Sequence, residues 1–484
     1  MVQIVWLKRD FRVFDHAPLK TAIDSGQPLV FLFLLEPMLL NHQKYSNRHF
    51  KFMLESIVDL NRVLQPYGAK VHLLEVDALP FFKALYKELG AFRILSHQET
   101  GVGSTFVRDL QLKKWCKEQK IDWLEFKQQG VNRGRKNRNN WKVEWDNFME
   151  SKVQTPNLSQ MVVGQLPDKL VKQFPVLFEL ANEHISMQEG GRTHAVDLLK
   201  SFLTNRYKRY SKNISKPATS RIYCSRLSAH IAWGTISVRE IVQSIHKKAK
   251  TNPSNKRDLQ NFKSRLYWHC HFIQKLESEP RIEFENHNPA YNGIRHTLNK
   301  EYLQRFISGT TGIPLVDANM RCLNATGYIN FRMRAMLVSM WTHHLLQPWQ
   351  AIAPHLANMF LDFEPGIHYP QLQMQAGTVG YHTIRTYNPT KQALDHDAEA
   401  KFIKKWVPEL NNLAPHLAIE PWKMTPMEAL MEDFDLEEDY FPPICDVEKD
   451  GRIARDLIHS VKQQTQTRYM ASQISKIHVN QDEL

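Results

Sequence analysis

Short unbroken apolar runs alternate with helix-spaced apolar residues along the first 130 positions. The runs at 2–7, 28–35, 70–75, 92–96 and 122–126 are rich in Val, Ile, Leu and Phe, the composition of strands buried on both faces. Between them the spacing predicts helices near 46–66, 79–89 and 105–119, with Phe50, Met53, Leu54, Ile57 and Leu60 marking one face of the first. This β-α alternation predicts a doubly wound five-stranded parallel sheet, which binds ligands beyond the carboxyl ends of its strands. The loop after the first strand carries Lys8, Arg9, Asp10 and Arg12, and the loop after the fourth carries His97-Gln98-Glu99-Thr100-Gly101. No GxGxxG fingerprint is present.

The pattern changes after residue 127. Asn, Gln, Arg and Lys dominate 128–142, and Pro156, Pro167 and Pro175 punctuate the stretch up to 190. From 192 onward apolar residues recur at helical spacing in 195–205, 226–248, 257–277, 317–346 and 398–410, without strand-like alternation or internal repeats. The expected organisation is an α/β domain over 1–130, an irregular linker with some helix over 131–191, and an all-α domain over 192–484. A chain of 484 residues exceeds one ordinary core, in keeping with that division.

Composition narrows the class. The longest apolar run, 28–37, is too short to span a bilayer, so no membrane association is expected. The opening residues resemble a strand followed by charge, not a secretory leader. Five widely spaced cysteines suggest neither a disulfide framework nor a CxxC metal site, and a reducing cytoplasm is expected. Sixty-three Lys and Arg against 50 Asp and Glu leave a net charge of +13, which suits a polyanion such as nucleic acid and equally a basic enzyme without one. Eight Lys or Arg and one acid lie between Arg192 and Arg221, interleaved with Phe202, Tyr207 and Tyr210. A second basic cluster holds Arg133, Arg135, Lys136, Arg138 and Lys142. Either can track phosphates or form a solvated face.

Familiar catalytic signatures are absent: there is no GxSxG and no HExxH. Trp268-His269-Cys270-His271 looks like a metal cluster, but neighbours on a helix point about 100° apart and cannot converge on one ion. Arg, Asp, Asn, Trp and Tyr are dense within the otherwise apolar segments 220–235, 262–277 and 317–349. Polar residues in such helices line pockets for polar ligands, and a large aromatic cofactor would account for them.

Four segments together resemble the photolyase/cryptochrome family. They are VWLKRDFRVFDHAPL (5–19), CSRLSAHIAWGTIS (224–237), TGIPLVDANMRCLNATGYINFRMRAMLVSM (311–340) and RTYNPTKQALDHDAEAKFIKKWVPEL (385–410), in family order. The resemblance implies FAD held by the helical domain and an antenna chromophore of folate or deazaflavin type on the α/β domain. The antenna pocket is equally compatible with a folate, a deazaflavin or no pigment. The resemblance implies cofactor contacts from Tyr207, Cys224, Ser225, Arg226, Leu227, Ser228, Phe262, Arg265, His269, Phe331, Arg334, Asp362, Glu364 and His368. Arg334 and Asp362 match an ion pair beside the isoalloxazine, where a cation and a carboxylate set the stable flavin charge state. His368 or Ile367 faces flavin N5. Trp268 matches a lesion-stacking tryptophan and Arg332 a pocket arginine. His97–Gly101 with Arg108 and Asp109 fall where some relatives bind folate.

The implied reaction is light-driven repair of UV-damaged DNA, in which reduced flavin splits a pyrimidine dimer and regains its electron. A cryptochrome-like blue-light photoreceptor that binds FAD without repair is the alternative, and a flavoprotein that binds nucleic acid without photochemistry is a third. A monomer is expected. Cys224 stands where the family has Thr or Ser. Arg265 replaces a Glu of cyclobutane-dimer enzymes and cannot accept hydrogen bonds. Phe331 and Ala335 occupy the histidine positions of (6-4) enzymes, and no four-cysteine Fe–S set is present. Of the family's three photoreduction tryptophans only the middle one, Trp349, is matched. His296 takes the outer position, and no Trp lies between 350 and 405. The run 363–378 replaces an Asn-rich loop. Trp341, Tyr328 and Tyr381 offer another electron route.

Overall fold

The structure, a computed structural model, describes residues 1–180, 187–252, 256–295 and 297–479. Its first part is a five-stranded, wholly parallel sheet of β1 (Val2–Leu7), β2 (Leu29–Leu34), β3 (Val71–Leu74), β4 (Phe92–His97) and β5 (Asp122–Phe126) in the order β3-β2-β1-β4-β5. β2 starts one residue later than its apolar run because Pro28 has no N–H to donate. Val5, Leu7, Phe31 and Phe33 face helix Asn47–Leu64, which presents Phe50, Met53, Ile57 and Leu60. Ile4, Trp6, Val30 and Leu32 face the other way, onto Phe81, Phe82 and Leu85 of helix Ala78–Leu89 and Leu112 of helix Gly103–Glu118. Burial on both faces is why these strands are continuously apolar, and each large side chain contributes about 1.5–3 kcal/mol. The strand order reverses between β1 and β4, which opens a crevice at the carboxyl edge of the sheet.

One unanticipated helix, Ala17–Asp24, follows β1. Pro18 enters its first turn, and His16 Nδ1 accepts the Leu19 N–H at 3.1 Å. Helix Trp141–Glu150 lies in the stretch expected as linker, yet Trp141, Trp145 and Met149 share a core with Leu199, Ile241 and Ile245. The remainder is mostly helical. The long 226–248 pattern resolves into Ser228–Ala232 and Val238–Thr251, broken at Gly234, and 317–346 is interrupted at Gly327; both glycines have positive φ. Among the described residues no helix is long and apolar enough to cross a membrane.

The segment after β1 joins the sheet to the helices. Arg9 Nε donates to the Ala232 carbonyl at 3.1 Å and Arg12 Nη1 to that of Gly234 at 2.8 Å, while Arg239 and Ser237 hold Asp15. Gly234 allows this approach: at φ +66°, an added Cβ would lie 2.0 Å from the Arg9 carbonyl oxygen. Gly234→Ala should therefore cost about 2–4 kcal/mol, read as a drop of several degrees in thermal midpoint.

Candidate functional site

The centre of the site is an ion pair between helix Phe331–Ser339 and the turn after helix Trp349–Met359. Arg334 Nη1 and Nη2 donate to the two carboxylate oxygens of Asp362 at 3.0 and 2.9 Å. The guanidinium also lies 4.0 Å from the Phe360 ring centroid, and its Nε donates to the Ile329 carbonyl at 3.0 Å. Burial works against the Asp362 charge, but Arg334 and the Ser228 hydroxyl hold its carboxyl below the usual range. Ser228 begins helix Ser228–Ala232, so the 224–228 segment meets the ion pair at this point.

Arg226, in the left-handed region at φ 63°, lays its guanidinium 3.4 Å from the Tyr328 ring centroid. Its Nη1 is buried without a hydrogen-bond partner. Such an orphaned donor beside Ser228 and Asp362 fits an oxygen of a bound ligand, the role expected for a flavin phosphate or carbonyl. The Cys224 carbonyl accepts from Arg206 Nη1, and burial pushes the Cys224 thiol up to about 12, so it stays a thiol. Ser225 Oγ accepts the Leu227 N–H at 3.4 Å, and Leu227 is fully buried.

Phe262, Arg265 and His269 recur at helical spacing on Lys256–Ser278. The Phe262 ring packs edge-on against Phe202 and Tyr210, with centroids 4.7 and 5.6 Å away. Tyr207 is fully buried, and its hydroxyl accepts from Asn252 Nδ2 at 3.0 Å. Tyr210, not singled out as a cofactor contact by the sequence, is hydrogen-bonded to Arg265 and close to Cys224 and Tyr328. Its position three residues after Tyr207 in the same basic run was the available signal. Burial, with the neighbouring Arg9 adding, lowers His269 to about 4, and Asp362 opposes this; the ring is neutral at pH 7.

Arg9 was not anticipated here. It crosses from β1, stacks 4.4 Å from the Trp233 ring centroid and places Nη1 3.7 Å from the Glu364 carboxylate. Burial lifts Glu364 to about 7, with Arg9 opposing. Glu36, buried at the sheet edge, is lifted to about 7 as well. Since the folded pKa of Glu364 lies above its ordinary 4.5, folding stability is lost as pH rises from 4.5 through about 7 and is level above that. In FAD-free protein we expect carboxyl infrared bands that titrate near pH 7, one of which Glu364→Gln removes; the same bands in that variant would contradict this.

His368 sits in helix Pro365–Ala376, is neutral because burial lowers it to about 3, and bonds the Ala353 carbonyl through Nε2 at 3.0 Å. Ile367 packs at the edge of the core around Phe262. Buried Trp349 donates Nε1–H to Asn286 Oδ1 at 2.8 Å. Its ring lies 6.4 Å from Tyr369, which lies 5.1 Å from His368, so an aromatic file leads from Trp349 to His368. Trp341 is buried elsewhere against Phe306, and Tyr381 accepts from Lys275 Nζ at 2.8 Å. His296 lies outside the described residues.

Among the exposed aromatic side chains are two of the residues expected at the site, Trp268 at 42% and Phe331 at 47% exposure. Trp268 leans on Phe272, with centroids 5.9 Å apart, and lies one helical turn from Arg265. Arg332, next to Phe331, donates Nε–H to Ser215 Oγ at 3.4 Å and lies 5.7 Å from the Tyr387 ring centroid.

A narrow recess at the ends of β1 and β2 is walled by Trp6, Phe33, Phe50 and Trp233, with Glu36 and Arg108 among its polar groups. Arg108 pairs with Glu36 and, at 2.7 Å, with Glu99; Asp109 also contacts it. The loop that carries Glu99 is thus tied inward by an ion network.

Comparison with known proteins adds a common theme. The family described as the FAD binding domain of DNA photolyase matches residues 262–460, and the one described as DNA photolyase matches residues 3–139. The deoxyribodipyrimidine photo-lyase of Alkalihalophilus pseudofirmus is 25% identical over 94% of this chain and 97% of its own. The cryptochrome DASH of Gloeobacter violaceus is 27% identical over 92% and 93%. A bacterial class III photolyase structure from Agrobacterium tumefaciens shares the fold, with a TM-score of 0.81, 22% identity, and 96% and 98% coverage. So does an archaeal photolyase from Sulfolobus tokodaii with two FAD molecules, with a TM-score of 0.75, 23% identity, and 95% and 100% coverage.

Proposed function

This chain belongs to the photolyase/cryptochrome family and carries its FAD-binding domain, and from that premise we propose that it is a light-driven enzyme repairing UV-induced pyrimidine dimers in DNA. Bound reduced FAD supplies the photoexcited electron that splits the dimer. The chain's own residues hold, tune and shield. Arg334 and Asp362, side by side, would present a cation and a carboxylate to the flavin ring, an arrangement that biases its charge state. Arg226 offers an unpartnered donor to its oxygens, the Ser228 hydroxyl holds Asp362 in place, and Arg265 with Tyr210 closes the neighbouring wall. Neutral His269 and His368 can hydrogen-bond without adding charge. Leu227 and Phe262 keep water out.

The observation that carries the repair reading is the exposed indole of Trp268. A large ring left open on a basic protein is a stacking platform for an unstacked base. Arg332 is the cation assigned to the lesion or its phosphate. Arg265 favours the second reading, a blue-light photoreceptor without repair: it is engaged by Tyr210 and offers no acceptor for a thymine N–H. An antenna chromophore of folate or deazaflavin type on the α/β domain belongs to the same reading, and the side chains around the recess at the β1 and β2 ends, Glu36 and Arg108 among them, would have to part to admit it. Expression in UV-sensitised, repair-deficient bacteria tests the choice. Survival that rises with blue light, and falls back in Trp268→Ala, supports repair. No gain from light would leave the photoreceptor.

A further inference from the structure

We propose that Glu279, His287 and His478 form a divalent-metal site, with Zn²⁺ as the ion it fits, clamping the last helix onto the end of the helix that carries Trp268. None of the three is among the residues assigned to the flavin or the lesion. Nε2 of His287 and Nε2 of His478 both converge on Oε2 of Glu279, at 2.9 and 2.5 Å, and the three ligand atoms lie within 4.8 Å of one another. Two imidazoles and one carboxylate are a recurrent zinc donor set. The other carboxylate oxygen, Oε1, is held by Arg281 through Nη2 at 2.6 Å and Nε at 3.0 Å, which aims Oε2 at the histidines. Second-layer bonds of this kind orient metal ligands.

The tautomers separate this trio from the other buried cluster, Asp10, His16 and His97. There His16 Nδ1 accepts the Leu19 N–H, so its Nε2 must carry the proton and has no lone pair for an ion. In the Glu279 trio, His478 Nδ1 is buried with no partner among the described residues, and His287 turns Nε2, not Nδ1, to the carboxylate. The His478 Nδ1 can therefore carry the proton and leave Nε2 free for the ion, and the same tautomer is proposed for His287. Bonds of about 2.0–2.1 Å to a tetrahedral ion need donors about 3.3 Å apart, so each imidazole retreats by less than about 1 Å. Glu279 is partly exposed, and water can take the fourth position. Arg281 and Lys275 face the site and hold its affinity below that of an all-anionic cage.

The ion would join the end of Lys256–Ser278 and the nearby loop with His287 to the end of the distant helix Thr465–His478. Asn286, in that loop, accepts the Trp349 N–H, so the clamp would also steady the aromatic file. The test is chelator-treated full-length protein titrated with Zn²⁺. We expect one Zn²⁺ per chain retained through gel filtration and a thermal midpoint raised by several degrees. Co²⁺ should give the visible absorption of a tetrahedral nitrogen–oxygen site. His287→Gln and His478→Gln should each lose the retained ion and the thermal shift. Retention equal to wild type in both variants, or wild-type protein with neither the shift nor the Co²⁺ bands, would overturn the site.

Discussion

Asp362→Asn should cost the protein most of its flavin, with FAD affinity about 30–150-fold weaker than wild type. The amide keeps the shape of the carboxylate but not its charge. Arg334 then keeps at most one of the two bonds it makes at 3.0 and 2.9 Å, and its charge stands uncompensated in a largely enclosed site. Losing one member of a buried pair costs up to about 3–5 kcal/mol. Arg334 is a quarter exposed, so solvent screens part of this, and about 2–3 kcal/mol is the expected share. The Ser228 hydroxyl, which donates to Asp362, also loses a charged acceptor, so the 224–228 segment loosens at the same time. Adding Arg334→Gln should change little more, because the two groups act as one unit. The measurement is FAD titration of the apoprotein by flavin fluorescence quenching. Equal affinity for wild type and Asp362→Asn would remove the pair from flavin binding.

Trp268→Ala should leave FAD bound and weaken binding of UV-damaged DNA by about 5–150-fold. Stacking on an aromatic face is worth roughly 1–3 kcal/mol per base, and Trp268 has the accessible surface to provide it. Its ring rests on Phe272 and not in a closed core, so truncation should cost little stability. Affinity for undamaged duplex should hardly move, since that binding comes from Lys and Arg on phosphates. Trp268→Phe should recover most of the loss. Anisotropy titrations at one fixed salt concentration, with damaged and undamaged oligonucleotides, separate the effects. A loss shared equally by both DNAs would assign Trp268 to general binding.

The sheet was legible because its strands are buried on both faces and their residues are apolar without interruption. Helix Ala17–Asp24 escaped because eight residues span barely two turns, too few to show a period. Trp141, Trp145 and Met149 do recur at helical spacing, but the Asn- and Arg-rich residues just before them signal loop, and only tertiary packing puts that helix in a core. The site divides the same way. Arg334 and Asp362 were found by resemblance and meet as expected. Arg9 reaches Glu364 from the opposite end of the chain, and no local pattern announces such a contact. Tyr210 and Tyr207 look alike in sequence; which one meets Arg265 and which meets Asn252 is decided by the turn between them. His478 and Glu279 are 199 positions apart, so their meeting is likewise a product of the fold alone.

Electron transfer from bound reduced flavin to a dimer stacked on Trp268 is the central step of the proposed repair. Its most direct test is a single-turnover illumination of anaerobically reduced holoprotein with oligonucleotides that carry one cyclobutane or one (6-4) lesion, single- or double-stranded. Light-dependent recovery of intact pyrimidines is expected from at least one of the four substrates, absent in the dark and sharply reduced in Trp268→Ala. Flavin that stays photoactive in that protein while all four lesions survive illumination would contradict it.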